Sequence, residues 1–338
     1  MSYINHTTGD LVSQYLAAHN DSSTEVLHDT KPGTTEDRPW RLHRAQAELL
    51  STAYEDINLH KAARVAACAG WLAYTPPTND QPMRLAKAEF CRVRLCPMCQ
   101  WRRSLKIYGQ TSQIINAANA SRKGGYAWIM LTLTQRNIDG PTLGPEIDRI
   151  SKAWQRLTQR KEYKQAVKGS MRCVEITRNP RTGLYHPHIH ALLCVLPSYF
   201  RSRSYISRDR WALLWAQCAR LDYSPSVWVT KSYGDHAKQI AEVSKYATKP
   251  ADYIVPDDWD YTIDSILTLD AATAKRRFLA YGGLLKTIKT QLKLDDADSD
   301  NADLIHIDDT AAPQVSDDLA DKLIYDWSPG LKNYYRRG

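Results

Sequence analysis

The apolar positions of this chain follow a helical rhythm at first and a strand rhythm later. Over 42–57 they recur at three- and four-residue intervals (Leu42, Ala45, Leu49, Leu50, Ala53), the repeat of a helix burying one face, and a second such stretch covers 59–72. Thr75-Pro76-Pro77-Thr78-Asn79 breaks the chain, a cysteine-rich segment spans 91–99, and the pattern predicts a basic helix over 100–119. After Ser121-Arg122-Lys123-Gly124-Gly125 the texture changes. Residues 126–134 read YAWIMLTLT, rich in β-formers and bounded by turn residues on both sides. A helix over 145–167 aligns Ile147, Ile150, Trp154 and Leu157, and strands at 171–177 and 188–196 are joined by Asn179-Pro180-Arg181-Thr182-Gly183, a turn cluster suited to a hairpin. A helix over 207–220 capped by Ser207, a strand over 226–231 and a helix over 236–249 stopped by Pro250 complete the set.

This order predicts an α+β fold, a central antiparallel β-sheet with flanking helices, preceded by a helical cysteine-rich region. The expected divisions are a mobile tail over 1–40, the helical cysteine-rich region over 41–124, the sheet domain over 125–292, an acidic linker over 293–321 and a C-terminal tail over 322–338.

Charge sharpens the picture. The 338 residues carry 45 Lys plus Arg against 37 Asp plus Glu, a formal +8. Ten aspartates and no lysine or arginine lie between Asp295 and Asp321, so setting that stretch aside leaves +18 on the remainder. A body that basic points to a polyanion partner. No run of eighteen apolar residues exists and the first residues lack a basic, then hydrophobic, start, so neither export nor a membrane partner is expected. Seven cysteines, an odd number and closely spaced in part, suit a reducing cytoplasm better than a disulfide framework.

Three clusters carry candidate chemistry. On a strand, His188 and His190 project from one face, and Glu175 lies across the hairpin; two imidazoles and a carboxylate make a divalent-cation site, unless the histidines merely line a wet sheet face. On the last helix, Glu242, Lys245, Tyr246 and Lys249 fall three or four apart, and a tyrosine oxygen beside ammonium groups can serve as a nucleophile; packing and a solvated ion pair are the plain alternative. Cys91, Cys96 and Cys99, with Cys68 as fourth member, have the spacing of a structural zinc site, with a redox pair or inert buried thiols as alternatives. Arg102, Arg103 and Lys106 follow on a helix and are expected to face a phosphate backbone.

Four segments in this order, RLCPMCQWRRSLK (94–106), WIMLTLTQ (128–135), HPHIHALL (186–193) and AEVSKYATK (241–249), resemble the replication initiators of small rolling-circle plasmids in the HUH endonuclease superfamily, of the class pairing one tyrosine with a helical glutamate. The resemblance spans roughly 68–249 and implies that 125–292 is a DNA-nicking domain. It implies further that His188 and His190 hold a catalytic Mn²⁺ or Mg²⁺, with Glu175 at the place of an acidic third ligand. Tyr246 corresponds to the nucleophile and Glu242 to the water-activating residue, with Lys245 and Lys249 beside the phosphate. The implied partner is plasmid origin DNA, single-stranded or extruded as a hairpin, with host helicase and polymerase acting afterwards. Trp101, Trp128, Tyr185 and the surroundings of Trp228 are candidates for base stacking. A single-tyrosine transposase, a conjugative relaxase and a non-catalytic zinc-containing regulator are the competing readings.

Overall fold

The turn cluster at 179–183 closes a long hairpin: Gly183, at φ +67°, donates its amide to Asn179 O at 2.8 Å, and the Asn179 carboxamide accepts from Arg181 N at 2.9 Å. In the computed structural model, which describes residues 25–31, 33–79, 81–232, 236–245, 247–307, 319 and 321–337, this hairpin is the centre of one of two units. That unit comprises Arg103–Asp252 and Thr268–Ala302, and the other comprises Met1–Arg102, Tyr253–Leu267 and Asp303–Gly338.

In the hairpin unit, β3 (Ala127–Leu133), β4 (Val167–Arg178), β5 (Tyr185–Val195), β6 (Val227–Ser232) and β7 (Leu279–Gly283) form an antiparallel sheet in the order β6-β3-β5-β4-β7. Successive residues alternate between its faces. On one face Trp128, Met130, Met171, Leu192 and Cys194 pack with Ile107, Ile114 and Ile115 of α3 (Pro97–Ala120), Ile240 and Val243 of α7 (Ala237–Ser244), and Leu285 of α9 (Leu284–Gln291). On the other, α4 (Gly140–Gln159) packs against β5 and α6 (Arg208–Ala219) against β6. The predicted stripe of α4 is buried, but the helix starts earlier than expected, because Asp139 caps it by accepting from Thr142 N at 3.1 Å. It also stops at Gln159, where Arg160 at ψ 140° separates it from α5 (Lys161–Ala166).

The helix expected over 236–249 ends at Ser244, and Lys245 turns extended at ψ 135°. Sheet contacts replace the helical ladder there: Lys245 O accepts from Cys173 Sγ at 3.3 Å and Ala247 O from Ile176 N at 2.6 Å. The acidic stretch also differs from a solvated linker over its first part. Asp295 pairs with Lys106 at 2.8 Å, and Asp298, buried, accepts from the amides of Phe278 (2.8 Å) and Leu279 (3.2 Å). Asp308, Asp309, Asp317 and Asp318 lie outside the described residues.

In the other unit, α1 (Trp40–Ile57) packs on α2 (Leu59–Ala67), and β1 (Trp71–Thr75), β2 (Arg84–Ala88), β8 (Leu323–Ser328) and β9 (Asn333–Arg336) form an antiparallel sheet in the order β2-β1-β8-β9. The cysteine-rich region, expected to be helical apart from its turn and cysteine segment, therefore also contributes two strands, at 71–75 and 84–88. The chain leaves α2 at Cys68, Ala69 takes φ +52°, and Trp71 enters a strand whose partner lies near the other end of the chain. The supposed mobile tail is ordered in its described part: Leu27 N donates to Tyr334 O at 3.0 Å and Trp40 Nε1 to Asp29 Oδ2 at 2.7 Å. Residues 1–24 lie outside the described ones. Among the described residues no helix is long and apolar enough to cross a membrane.

Candidate functional site

Register brings the first cluster together. Glu175 of β4 is paired with His188 of β5, and Cys173 with His190, so the carboxylate and both imidazoles rise from one face of the sheet. Their ligand atoms converge: Glu175 Oε2 lies 2.9 Å from His190 Nε2 and 3.3 Å from His188 Nε2, and the two Nε2 atoms are 3.0 Å apart. The outer nitrogens are held. His188 Nδ1 donates to His186 O at 3.1 Å, which leaves the lone pair on Nε2, and His190 Nδ1 meets Thr132 Oγ1 of β3 at 3.2 Å.

Three lone-pair-bearing atoms facing one another would repel unless a cation or proton lay between them. Ligands at right angles around a cation at about 2.1 Å are about 3.0 Å apart, which is the spacing seen here, so the donor set fits a divalent cation. Glu175 has a side chain only 5% exposed. Burial favours its neutral acid, but hydrogen bonds to His188, His190 and Lys249 outweigh burial and hold it well below the usual carboxylate range. Lys249 Nζ sits 2.9 Å from Glu175 Oε1, the oxygen opposite to the one that faces the imidazoles. Glu242 of α7 brings Oε1 to 3.8 Å from His190 Nε2, and its other oxygen is ion-paired with Lys245. Tyr246 lies outside the described residues.

The four predicted cysteines also meet. Sγ–Sγ separations are 3.6 Å (Cys68–Cys99), 3.7 Å (Cys91–Cys99) and 3.6 Å (Cys96–Cys68), far beyond a disulfide bond. All four sulfurs lie within 4.8 Å of one another. Backbone amides point inward as well, Arg92 N to Cys99 Sγ at 3.2 Å and Cys91 N to Cys68 Sγ at 3.4 Å. Burial pushes the Cys68 and Cys96 thiols up, while hydrogen bonds from Cys68, Cys96 and Cys99 hold Cys91 far below the usual thiol range. Four sulfurs gathered within 4.8 Å, with backbone amides directed at two of them, fit a thiophilic metal.

The expected phosphate-facing residues are placed elsewhere. Arg102 (2% exposed) donates to Leu304 O and Ile305 O, Arg103 (1%) to Asp298 O, and Lys106 (2%) is paired with Asp295, so all three are built into the fold and are not an exposed basic face. Trp128 and Tyr185 are core residues, and Trp101 packs on Trp40 and His43, whereas Trp228 stands 57% exposed on β6. Sequence reasoning missed Thr132, whose place beside His190 follows only from the β3–β5 register.

A family model described as Replication protein matches residues 82–335. A "Protein rep" of Bacillus amyloliquefaciens is 36% identical, over 94% of this chain and 98% of its own length. Proteins of the same description from Lentilactobacillus hilgardii (33%, covering 93% and 99%) and Streptococcus pneumoniae (32%, covering 92% and 95%) also match. No solved structure matches. The chain belongs to the replication protein family.

Proposed function

We propose that this protein is a plasmid rolling-circle replication initiator: a site-specific single-strand DNA endonuclease and strand transferase that acts in the bacterial cytoplasm. The observation that carries the reading is the convergence of Glu175, His188 and His190, with Glu242 and Lys249 against them, in a chain of the replication protein family.

Glu175, His188 and His190 would hold a Mn²⁺ or Mg²⁺ ion. When bound, such an ion supplies positive charge to a non-bridging phosphate oxygen and lowers the cost of the charge that builds up during attack. The protein's own groups do the rest. Thr132 and the His186 carbonyl orient the imidazoles, and Lys249 fixes the Glu175 carboxylate. The nucleophile we assign is Tyr246. Its flanking residues Lys245 and Ala247 are hydrogen-bonded to β4 at Cys173 and Ile176, on either side of Glu175, which supports this assignment. Attack forms a bond from the tyrosine oxygen to phosphorus and breaks the bond to the 3′ oxygen. That oxygen takes a proton and becomes a 3′-hydroxyl primer, and the 5′ phosphate stays on the tyrosine. The phosphodiester energy is retained, so rejoining needs no ATP. Glu242 then acts as general base for water when the displaced strand is released. The Cys68, Cys91, Cys96 and Cys99 cluster would hold a structural Zn²⁺. Host helicase and polymerase are the expected partners once the 3′ end is free.

The test is Tyr246→Phe on single-stranded origin DNA with Mn²⁺. Nicking and the covalent adduct should vanish while origin binding is kept. Undiminished nicking, or an adduct on another residue, would refute the assignment.

A further inference from the structure

The hairpin unit has a second site of strong charge. A cleft of about 490 Å³ lies among α4, α5, β4, β7 and α9, and its lining includes Lys164, Lys168, Arg172 and Lys286 but no aspartate or glutamate. It belongs to the other face of the sheet: Arg172 alternates with Cys173 and Glu175 along β4 and points away from the imidazoles.

Arg172 is the notable member. It is 7% exposed and donates to Phe278 O at 3.4 Å, while its Nε has no hydrogen-bond partner among the described residues. Burial lowers its affinity for a proton below the usual guanidinium range. The Asp298 carboxylate, which opposes that effect, is taken by the Phe278 and Leu279 amides. Among the described residues, no carboxylate lies within 4.0 Å of Lys164, Lys168, Arg172 or Lys286. A buried guanidinium backed by three ammonium groups, with no carboxylate at ion-pair distance among the described residues, is costly unless an external anion completes it. The wall is also kept open: a side chain at Gly282 would begin 3.0 Å from Ser170 Oγ, although Gly282 is not among the residues of positive φ. Arg172 and the two exposed lysines offer the forked and point-charge donors that phosphate oxygens accept.

We propose that this cleft binds a backbone phosphate of DNA, giving the unit a second nucleic-acid contact on the sheet face opposite the candidate metal centre. The choice of DNA over a free anion rests on the reading of the protein as an origin-acting initiator. The cleft would hold a strand away from the one being cut, so it should govern affinity and not the chemical step.

Lys164→Glu/Lys286→Glu tests this, because both side chains are exposed and their reversal does not threaten the core. Lys123→Glu/Lys152→Glu, exposed and outside the cleft, makes the same change in net charge. Binding of labelled origin single strand and duplex is measured over a salt series, together with nicking at saturating DNA. We expect the cleft variant to bind roughly tenfold or more weakly than the control variant, with a salt slope smaller by about 2 and an unchanged nicking rate. Equal affinity and slope in the two variants, with wild type binding and nicking normally, would overturn this inference alone. A wild-type protein that neither binds nor nicks origin DNA would overturn both readings. Tight binding of inorganic phosphate that Lys164→Glu/Lys286→Glu abolishes, with DNA affinity intact, would overturn the assignment to DNA.

Discussion

Stripping zinc from the cysteine cluster, the ion we propose it holds, should lower the melting temperature of the protein. A regular tetrahedron with edges of 3.6–3.7 Å has its centre about 2.2–2.3 Å from each corner, which is the zinc–thiolate bond length. Three of the six sulfur separations have that edge length and the rest are within 4.8 Å, so closing the cage on zinc asks for modest movement and binding energy goes into stability. Stabilisation by a ligand specific to the folded state is RT ln(1 + [L]/Kd), about 4 kcal/mol when free zinc is a thousand times Kd. For a unit of about 150 residues, that is a shift in melting temperature of roughly 8–16 °C. The assay is thermal unfolding of the whole protein with and without a zinc-selective chelator, beside metal analysis and X-ray absorption. We expect one zinc per chain, a sulfur shell near 2.3 Å and a drop of about 10 °C on chelation, with Cys96→Ser reproducing the drop without chelator. The His188→Ala/His190→Ala protein should keep this chelator sensitivity, which separates it from any effect at the Glu175, His188 and His190 cluster. Zinc-free protein from zinc-supplied cells, with a melting temperature indifferent to chelation, would refute the reasoning.

Three further outcomes follow from other parts of the structure. His188→Ala or His190→Ala should abolish Mn²⁺-dependent nicking and weaken Mn²⁺ binding by calorimetry at least tenfold, since each removes one of three ligands; retained nicking would count against the metal centre. Asp298→Ala should cost about 2–3 kcal/mol in chemical denaturation, because it strips two buried amides, Phe278 and Leu279, of a charged acceptor; a loss below about 0.5 kcal/mol would mean that the acidic stretch is not structural. His43, half-buried and stacked on Trp101, is pushed down to about 4 by loss of solvent around its ring, so folding favours its neutral form. Its contribution is complete above the unfolded value near 6.5 and is lost as pH falls from there through about 4, at most roughly 3 kcal/mol. His43→Gln should flatten the stability curve in that window, and an identical curve would refute the assignment.

Strand alternation alone places His188 and His190 on one face, and the Asn-Pro-Arg-Thr-Gly turn announces the hairpin that sets Glu175 opposite them, so this cluster is legible in sequence. The cysteine spacing is equally local, apart from Cys68. Other features depend on partners that no window of sequence contains. β1 is a strand because residues 323–326 pair with it, where the local pattern reads as the end of a helix. Arg102, Arg103 and Lys106 read as a basic surface until carbonyls from Leu304, Ile305 and Asp298 and the Asp295 carboxylate enclose them. The helix bearing Glu242 ends at Ser244 because β4 offers its hydrogen bonds to Lys245 and Ala247. Short-range periodicity and spacing determined which residues share a face, whereas long-range pairing decided which of the charged ones meet water and which meet each other, because burial is a property of the whole fold and not of its segments.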